Sequence, residues 1–215
     1  MHKGLLPKNE TRHRTTLIFG SSIPKRLDAR KLQGKSNNKV INLAEGGATI
    51  RDVSKSMEEF YSGKHQYFSS DGALKLEELD IKKVILSIGT NDILNIRDSR
   101  NINRLFSPLD NMLRKARSLF GCQVYAQSCI PIPGQRDDTR YATYEFNRIL
   151  LRLCKQHRCY YLDVFEKFLN CWRFGELFVM KSDGRIDIHP NRAGMSILAR
   201  SYIAIIRDYF DPYMS

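Results

Sequence analysis

The sequence has little that would cross-link it or carry it into a membrane. Its five cysteines, Cys122, Cys129, Cys154, Cys159 and Cys171, are odd in number, form no C-x-x-C pair and have no histidine at finger-like spacing. Reduced thiols are therefore expected, with neither a disulfide framework nor a structural metal. No apolar run approaches the roughly 20 residues that cross a bilayer, and Met1-His2-Lys3-Gly4 leads into no signal-peptide core. The expectation is a soluble, intracellular and cytoplasmic protein without an integral-membrane association. Hydrophobic residues at 42% and charged residues at 27% are near the averages of globular proteins, which excludes collagen-like, coiled-coil and wholly disordered chains. Negative charge is the scarce sign: 35 Lys plus Arg stand against 23 Asp plus Glu, a net +12. That balance leaves two readings open, a partner rich in anions such as RNA, or a merely soluble basic surface.

What is present is an alternation. Short apolar runs at Thr16 to Phe19, Lys39 to Leu43, Val84 to Ile88, Gln123 to Gln127 and Tyr160 to Leu162 read as strands buried on both faces. Helical periodicity lies between and after them, at Ile50 to Tyr61 behind the cap Thr49, Ile102 to Phe120, Tyr141 to His157 and Arg192 to about Tyr209. The pattern predicts an α/β domain with a five-stranded parallel sheet over residues 15–215. Residues 1–14, with Lys3, Lys8, Arg12 and Arg14 against Glu10, read as a flexible basic arm. The polar stretch Ser62 to Asp80 reads as a loop with a short helical piece at Leu74 to Leu79.

In such sheets sites form beyond the carboxyl ends of the strands. After the first strand comes Gly20-Ser21-Ser22, where Ser22 is either a nucleophile or, with Ser21, a helix N-cap. After the second, Gly46-Gly47 allows a tight turn and leaves a backbone N–H open to an anion. The third runs into Gly89-Thr90-Asn91-Asp92, an amide donor and a carboxylate just past a buried strand. Near the C-terminus, His189 stands among Asp183, Asp187 and Asn191, ahead of a helix, as a general base or a hydrogen-bonded structural residue.

Phe19-Gly20-Ser21-Ser22, Asn42 to Thr49, Gly89-Thr90-Asn91-Asp92 and His189-Pro190-Asn191 with Gly194 occur in order over about residues 16 to 205. In this the chain resembles the SGNH hydrolases, also called GDSL esterases. The resemblance implies a flavodoxin-like three-layer α/β/α domain and a serine esterase of short acyl or acetyl esters. By position it implies Ser22 as nucleophile, the Ser22 and Gly47 N–H groups and the Asn91 amide as oxyanion hole, and His189 as base, with no cofactor. Two positions depart from the family pattern. Ser21 stands where an aspartate usually precedes the nucleophile, and Ile186 stands where the orienting acid lies three residues before the histidine. Asp187 is the expected replacement, with Asp183 as the alternative. In an extended segment a one-residue shift turns a side chain to the other face, so Asp187 is expected to reach the imidazole through a bulge.

A second reading follows from charge. Lys25, Arg26, Arg30, Lys31, Lys35 and Lys39, offset by Asp28, form a basic block between the first two strands, and Arg114, Lys115, Arg117, Arg148, Arg152, Lys155 and Arg158 add to it. These residues suit phosphate contacts. SGNH-like domains of similar kind occur in proteins of some LINE-type retrotransposons, so a weak or inactive module binding RNA is the alternative to an acylated small-molecule substrate.

Overall fold

The computed structural model describes residues 14–34, 37–64, 67–69, 72–74, 76, 79–96, 98–133, 137–171 and 174–208. β1 (Arg14–Gly20) runs into α1 (Ser22–Lys25) and α2 (Ala29–Gln33), and β2 (Lys39–Asn42) leads through the glycine loop to α3 (Ile50–Tyr61). A small hairpin, β3 (Tyr67–Ser69) and β4 (Gly72–Leu74), precedes β5 (Asp80–Ser87) and α4 (Thr90–Leu94). A 3-10 stretch over Ser99–Leu105 opens into α5 (Phe106–Phe120), followed by β6 (Gln123–Gln127), α6 (Asp137–His157), β7 (Tyr160–Leu162) and α7 (Phe165–Leu169). The last described elements are a 3-10 turn at Phe174–Leu177, β8 (Phe178–Met180), β9 (Ile186–Pro190) and α8 (Arg192–Ile206).

All five expected strands join one parallel sheet in the order β2-β1-β5-β6-β7. The winding reverses direction between β1 and β5, and that reversal opens a crevice at their carboxyl ends. Alternation sets the layers, because successive side chains of a strand face opposite ways. Leu17, Phe19, Val84, Leu86, Val124 and Ala126 pack with α3, α5 and α6 on one face. Ile18, Ile85 and Tyr125 pack with Leu32 of α2, Phe168 of α7, and Leu198 and Tyr202 of α8 on the other. Each such buried side chain contributes roughly 1.5–3 kcal/mol, so the central strands hold their carboxyl ends firmly. All five cysteines are free, and burial pushes the Cys129 thiol up to about 12.

The helix ends follow local chemistry. Thr49 and Asp52 form a reciprocal capping box on α3, Asp28 accepts from Arg30 and Lys31 N–H at the head of α2, and Gly121 closes α5 in the left-handed conformation. The expected Ile102 to Phe120 helix is a 3-10 stretch until Phe106. Pro108 has no N–H to donate back to Arg104, which breaks an α-helical ladder at that point.

Three further expectations change. The helical piece expected over Leu74 to Leu79 starts later, because Gly72–Leu74 forms β4, paired antiparallel with β3 in the register Tyr67↔Leu74; Leu76 is in 3-10 conformation and its carbonyl accepts from Leu79 N–H at 3.1 Å, while glycine is a poor helix former and the aromatic pair before it suits a strand. Arg14, counted with the basic arm, begins β1 opposite Asp80, while residues 1–13 lie outside the described residues. The last helix stops at Ile206, because Asp208 turns left-handed at φ 60°, and its carboxylate binds the buried Lys83 ammonium. No helix among the described residues is long and apolar enough to cross a membrane.

Candidate active site

Gly20 ends β1 pressed against β5: a Cβ there would lie 2.4 Å from the Ser87 carbonyl oxygen and 2.6 Å from Pro24 Cγ. Ser21 N–H donates to the same carbonyl at 3.2 Å. Only glycine lets the strand turn into a helix this close to its neighbour. Ser21 takes the N-cap position of α1 without a side-chain capping bond. Ser22, the first helical residue, is therefore free for other partners, and its N–H has no intrahelical acceptor.

The Ser22 hydroxyl meets His189 Nε2 at 3.0 Å, and His189 Nδ1 meets Asp187 Oδ1 at 2.9 Å. Asp187 Oδ1 also accepts the His189 backbone N–H at 3.2 Å, an Asx-type turn that holds carboxylate and ring together. The expected bulge is there. Phe178 pairs with Pro190 and Met180 with Ile186, so Asp187, Ile188 and His189 all stand opposite Val179 alone. Asp187 and His189, two apart, share a face of the extended chain. Asp183 is engaged instead by Arg185, at 2.8 Å to its Nε. Burial raises the Asp187 pKa, but the hydrogen bonds from the His189 ring and backbone outweigh it, and the carboxyl lies below its ordinary value.

The hairpin is anchored by Asn191, a residue to which sequence reasoning gave no separate role. Its side chain accepts from Ala193 and Gly194 N–H to cap α8, and donates to the Glu176 and Phe178 carbonyls, at 3.0 Å for the latter. Gly194 lets α8 approach: a Cβ would lie 2.4 Å from the Leu177 carbonyl oxygen. The readable signal was an N-cap residue three positions ahead of a glycine.

On the other side of the crevice the β2–α3 loop is strapped to β1, with Leu43 N–H on Ile18 O at 2.7 Å and Glu45 N–H on Gly20 O at 2.9 Å. Gly47 lies in this loop at φ 80°, exposed and with nothing within 4 Å of where a Cβ would be. Its N–H has no protein partner among the described residues. Asn91 donates one amide hydrogen to the Ala48 carbonyl at 2.9 Å, which ties α4 to the loop and leaves a second hydrogen. Next to it, both Asp92 oxygens accept the Ile50 N–H at 3.2 Å. Desolvation by burial pushes Asp92 up to about 6. Asp92 thus fastens α4 to the head of α3 across 42 positions, a link that no local pattern announces.

A profile of the GDSL-like lipase/acylhydrolase family matches residues 19–197. The chain belongs to that family. The fold is also that of a lipolytic G-D-S-L protein from Veillonella parvula (TM-score 0.67, 19% identity, 89% of this chain and 96% of that one). It is likewise that of a lipase/acylhydrolase from Enterococcus faecalis (0.66, 18%, 93% and 98%) and of an acetylxylan esterase from Geobacillus stearothermophilus (0.65, 18%, 93% and 95%). No curated protein matches the chain.

Within this acylhydrolase fold the expected basic block separates. Lys25 and Arg26 follow Ser22 by three and four positions, Arg30 and Lys31 lie on α2, and Lys39 begins β2 at the amino end of the sheet, beside Thr15 and away from the crevice. Lys35 lies outside the described residues. Ile132 lines a cleft of about 590 Å³ with Pro131, Tyr141 and Tyr144, and Phe106 lies under the Arg152 guanidinium at 5.0 Å. The side chains of Tyr67 and Phe68 lie outside the described set. No group of three or more His, Cys, Asp or Glu side chains that could hold a metal occurs among the described residues.

Proposed function

We propose that this acylhydrolase is a serine esterase acting on short acyl or acetyl esters through Ser22, His189 and Asp187. The observation that carries the reading is the hydrogen-bonded series Ser22 Oγ, His189 Nε2 and Nδ1, Asp187 Oδ1, at 3.0 and 2.9 Å. A serine hydroxyl is a weak nucleophile until a base takes its proton as it attacks. His189 takes that proton as Ser22 Oγ bonds to the acyl carbon, and Asp187 holds the imidazole tautomer and steadies the imidazolium. The negative charge moves to the former carbonyl oxygen, where Ser22 N–H, Gly47 N–H and the second Asn91 amide hydrogen supply donors. His189 then gives its proton to the leaving alcohol, and the C–O bond breaks. A water deprotonated by His189 attacks the acyl enzyme, and Ser22 regains its proton as the acid departs. No step calls on a cofactor.

The acetylxylan esterase with the same fold has been solved as catalytic mutants of an aspartate and a histidine, which agrees in kind with a His–Asp pair here. The test is hydrolysis of p-nitrophenyl acetate and butyrate by the wild type beside Ser22→Ala and His189→Ala, all equally folded. Turnover lost in both variants supports the esterase, whereas turnover absent in the wild type or unchanged in the variants sinks it. A module that only binds RNA would have no use for the Ser22–His189–Asp187 series.

A further inference from the structure

The cations that follow Ser22 form no ion pair among the described residues. Ser22 opens α1, and Lys25 and Arg26 follow at the third and fourth positions, the spacing at which side chains of a helix are neighbours. Both are exposed. Asp28, the nearest acid along the chain, is occupied as the cap of α2. Arg192, three residues after His189, is also exposed and has no ion pair among the described residues. The acids of this edge are engaged: Asp187 by His189, Asp92 by Ile50 N–H, Asp52 by Thr49. Exposed Glu45 is the exception. A neutral short ester gives these cations nothing to bind, and exposed cations close along the helix to a nucleophile favour an incoming molecule that is negative.

We propose that the substrate is an anionic ester, with a carboxylate or phosphate a few bonds from the scissile acyl group, and that Lys25 and Arg26 receive that anion. The inference rests on the esterase reading and names its substrate class. Guanidinium and ammonium groups differ in how they meet the two anions: Arg26 can form a bidentate fork with either, and Lys25 acts as a point charge.

The experiment compares kcat/KM for 4-acetoxybenzoate and 4-acetoxyphenyl phosphate with that for neutral methyl 4-acetoxybenzoate. The expected preference for the anions is about tenfold, the size that two solvent-exposed charge contacts supply, and it shrinks with added salt. In Lys25→Gln/Arg26→Gln the preference falls toward one. The charge-preserving Lys25→Arg/Arg26→Lys keeps it, as does Lys155→Gln on α6, far along the chain from Ser22. A preference near one in the wild type, or one untouched by the double glutamine variant, overturns the proposal; the ratio between the two anions tells carboxylate from phosphate. Titration of 4-acetoxybenzoate and its methyl ester into the Ser22→Ala protein, followed by NMR, separates this inference from the esterase reading. Tighter binding of the anion that is lost with Lys25 and Arg26 supports the proposal even if no ester is turned over. Equal binding refutes it even if turnover is brisk. A short RNA that binds through these residues while the small esters are not distinguished would assign the cations to a polyanion and also overturn the proposal.

Discussion

Ser22 and His189 meet across 3.0 Å from supports of different kinds. Ser22 hangs from a strand whose Leu17, Ile18 and Phe19 are wholly buried, at a turn so tight against β5 that a single methyl group would collide with backbone. His189 belongs to a two-stranded hairpin outside the main sheet, in which Ile186, Asp187, Ile188 and His189 are all partly exposed. What holds it is local: the Asp187 turn, the bulge opposite Val179, and Asn191 on two carbonyls. The nucleophile is positioned by the fold and the base by a few hydrogen bonds. Changes on the two sides should therefore separate, with backbone damage on the sheet side felt as stability and damage on the hairpin side felt as rate.

The largest effect expected is at the point where the sides meet. Ser22→Ala and His189→Ala should each lower turnover of p-nitrophenyl acetate by about 10⁴-fold or more, because members of such a unit fail together. Their melting temperatures should stay near that of the wild type, as checked by circular dichroism. Asn91→Ala should cost about 10²- to 10³-fold in kcat, the usual loss of one oxyanion donor, with a modest loss of stability from the Ala48 bond. On the sheet side, Gly89→Ala should act on folding. Gly89 has φ 109°, and an added Cβ would sit 2.4 Å from the Phe146 ring. We expect a loss of roughly 3 kcal/mol in urea unfolding, against about 1 kcal/mol for Gly47→Ala, which is strained but meets no atom.

The effect of pH differs in sign between two aspartates, one on each side. Asp92 has its pKa raised to about 6 by burial, so the folded protein holds a proton that the unfolded chain has already released between about pH 4 and 6. Its contribution therefore falls as pH rises through that window, by on the order of 2 to 3 kcal/mol. Asp187, lowered by its bonds to His189, works the other way: its contribution is present above the ordinary carboxylate range and is lost as the solution becomes more acid. Urea midpoints at pH 4.5 and 7 for Asp92→Asn and the wild type check the first, since the variant should lack that fall with pH.

The parts rooted in the sheet were legible in the sequence. Strands buried on both faces leave continuous apolar runs, and five such runs became the five sheet strands, with the Gly20-Ser21-Ser22, Gly46-Gly47 and Gly89-Thr90-Asn91 segments following their ends. The hairpin side was legible as a histidine with Asp187 as the expected acid, on the condition of a bulge, and Asp183 as the alternative. The order Asp183, Asp187, His189 does not by itself supply the rest, because the bulge is set by pairing with Phe178 and Met180 and Asp183 is drawn away by Arg185. Short elements were missed for a related reason. α2, α7, the β3–β4 pair and the β8–β9 pair are too brief to show a period, and contacts such as Asp92 with Ile50 join positions that the chain separates by 42 residues.

The central claim is that the displaced acid, Asp187, completes the Ser22–His189 pair. The most direct measurement is kcat for p-nitrophenyl acetate across pH 5 to 9 in Asp187→Asn beside Asp183→Asn and the wild type. We predict a loss of about 10²- to 10⁴-fold for Asp187→Asn, with at most a small fall in melting temperature, while Asp183→Asn stays within about twofold of the wild type. Equal activity of Asp187→Asn and the wild type, or a loss confined to Asp183→Asn, would contradict the account and leave the 2.9 Å contact between Asp187 and His189 a structural bond without a catalytic part.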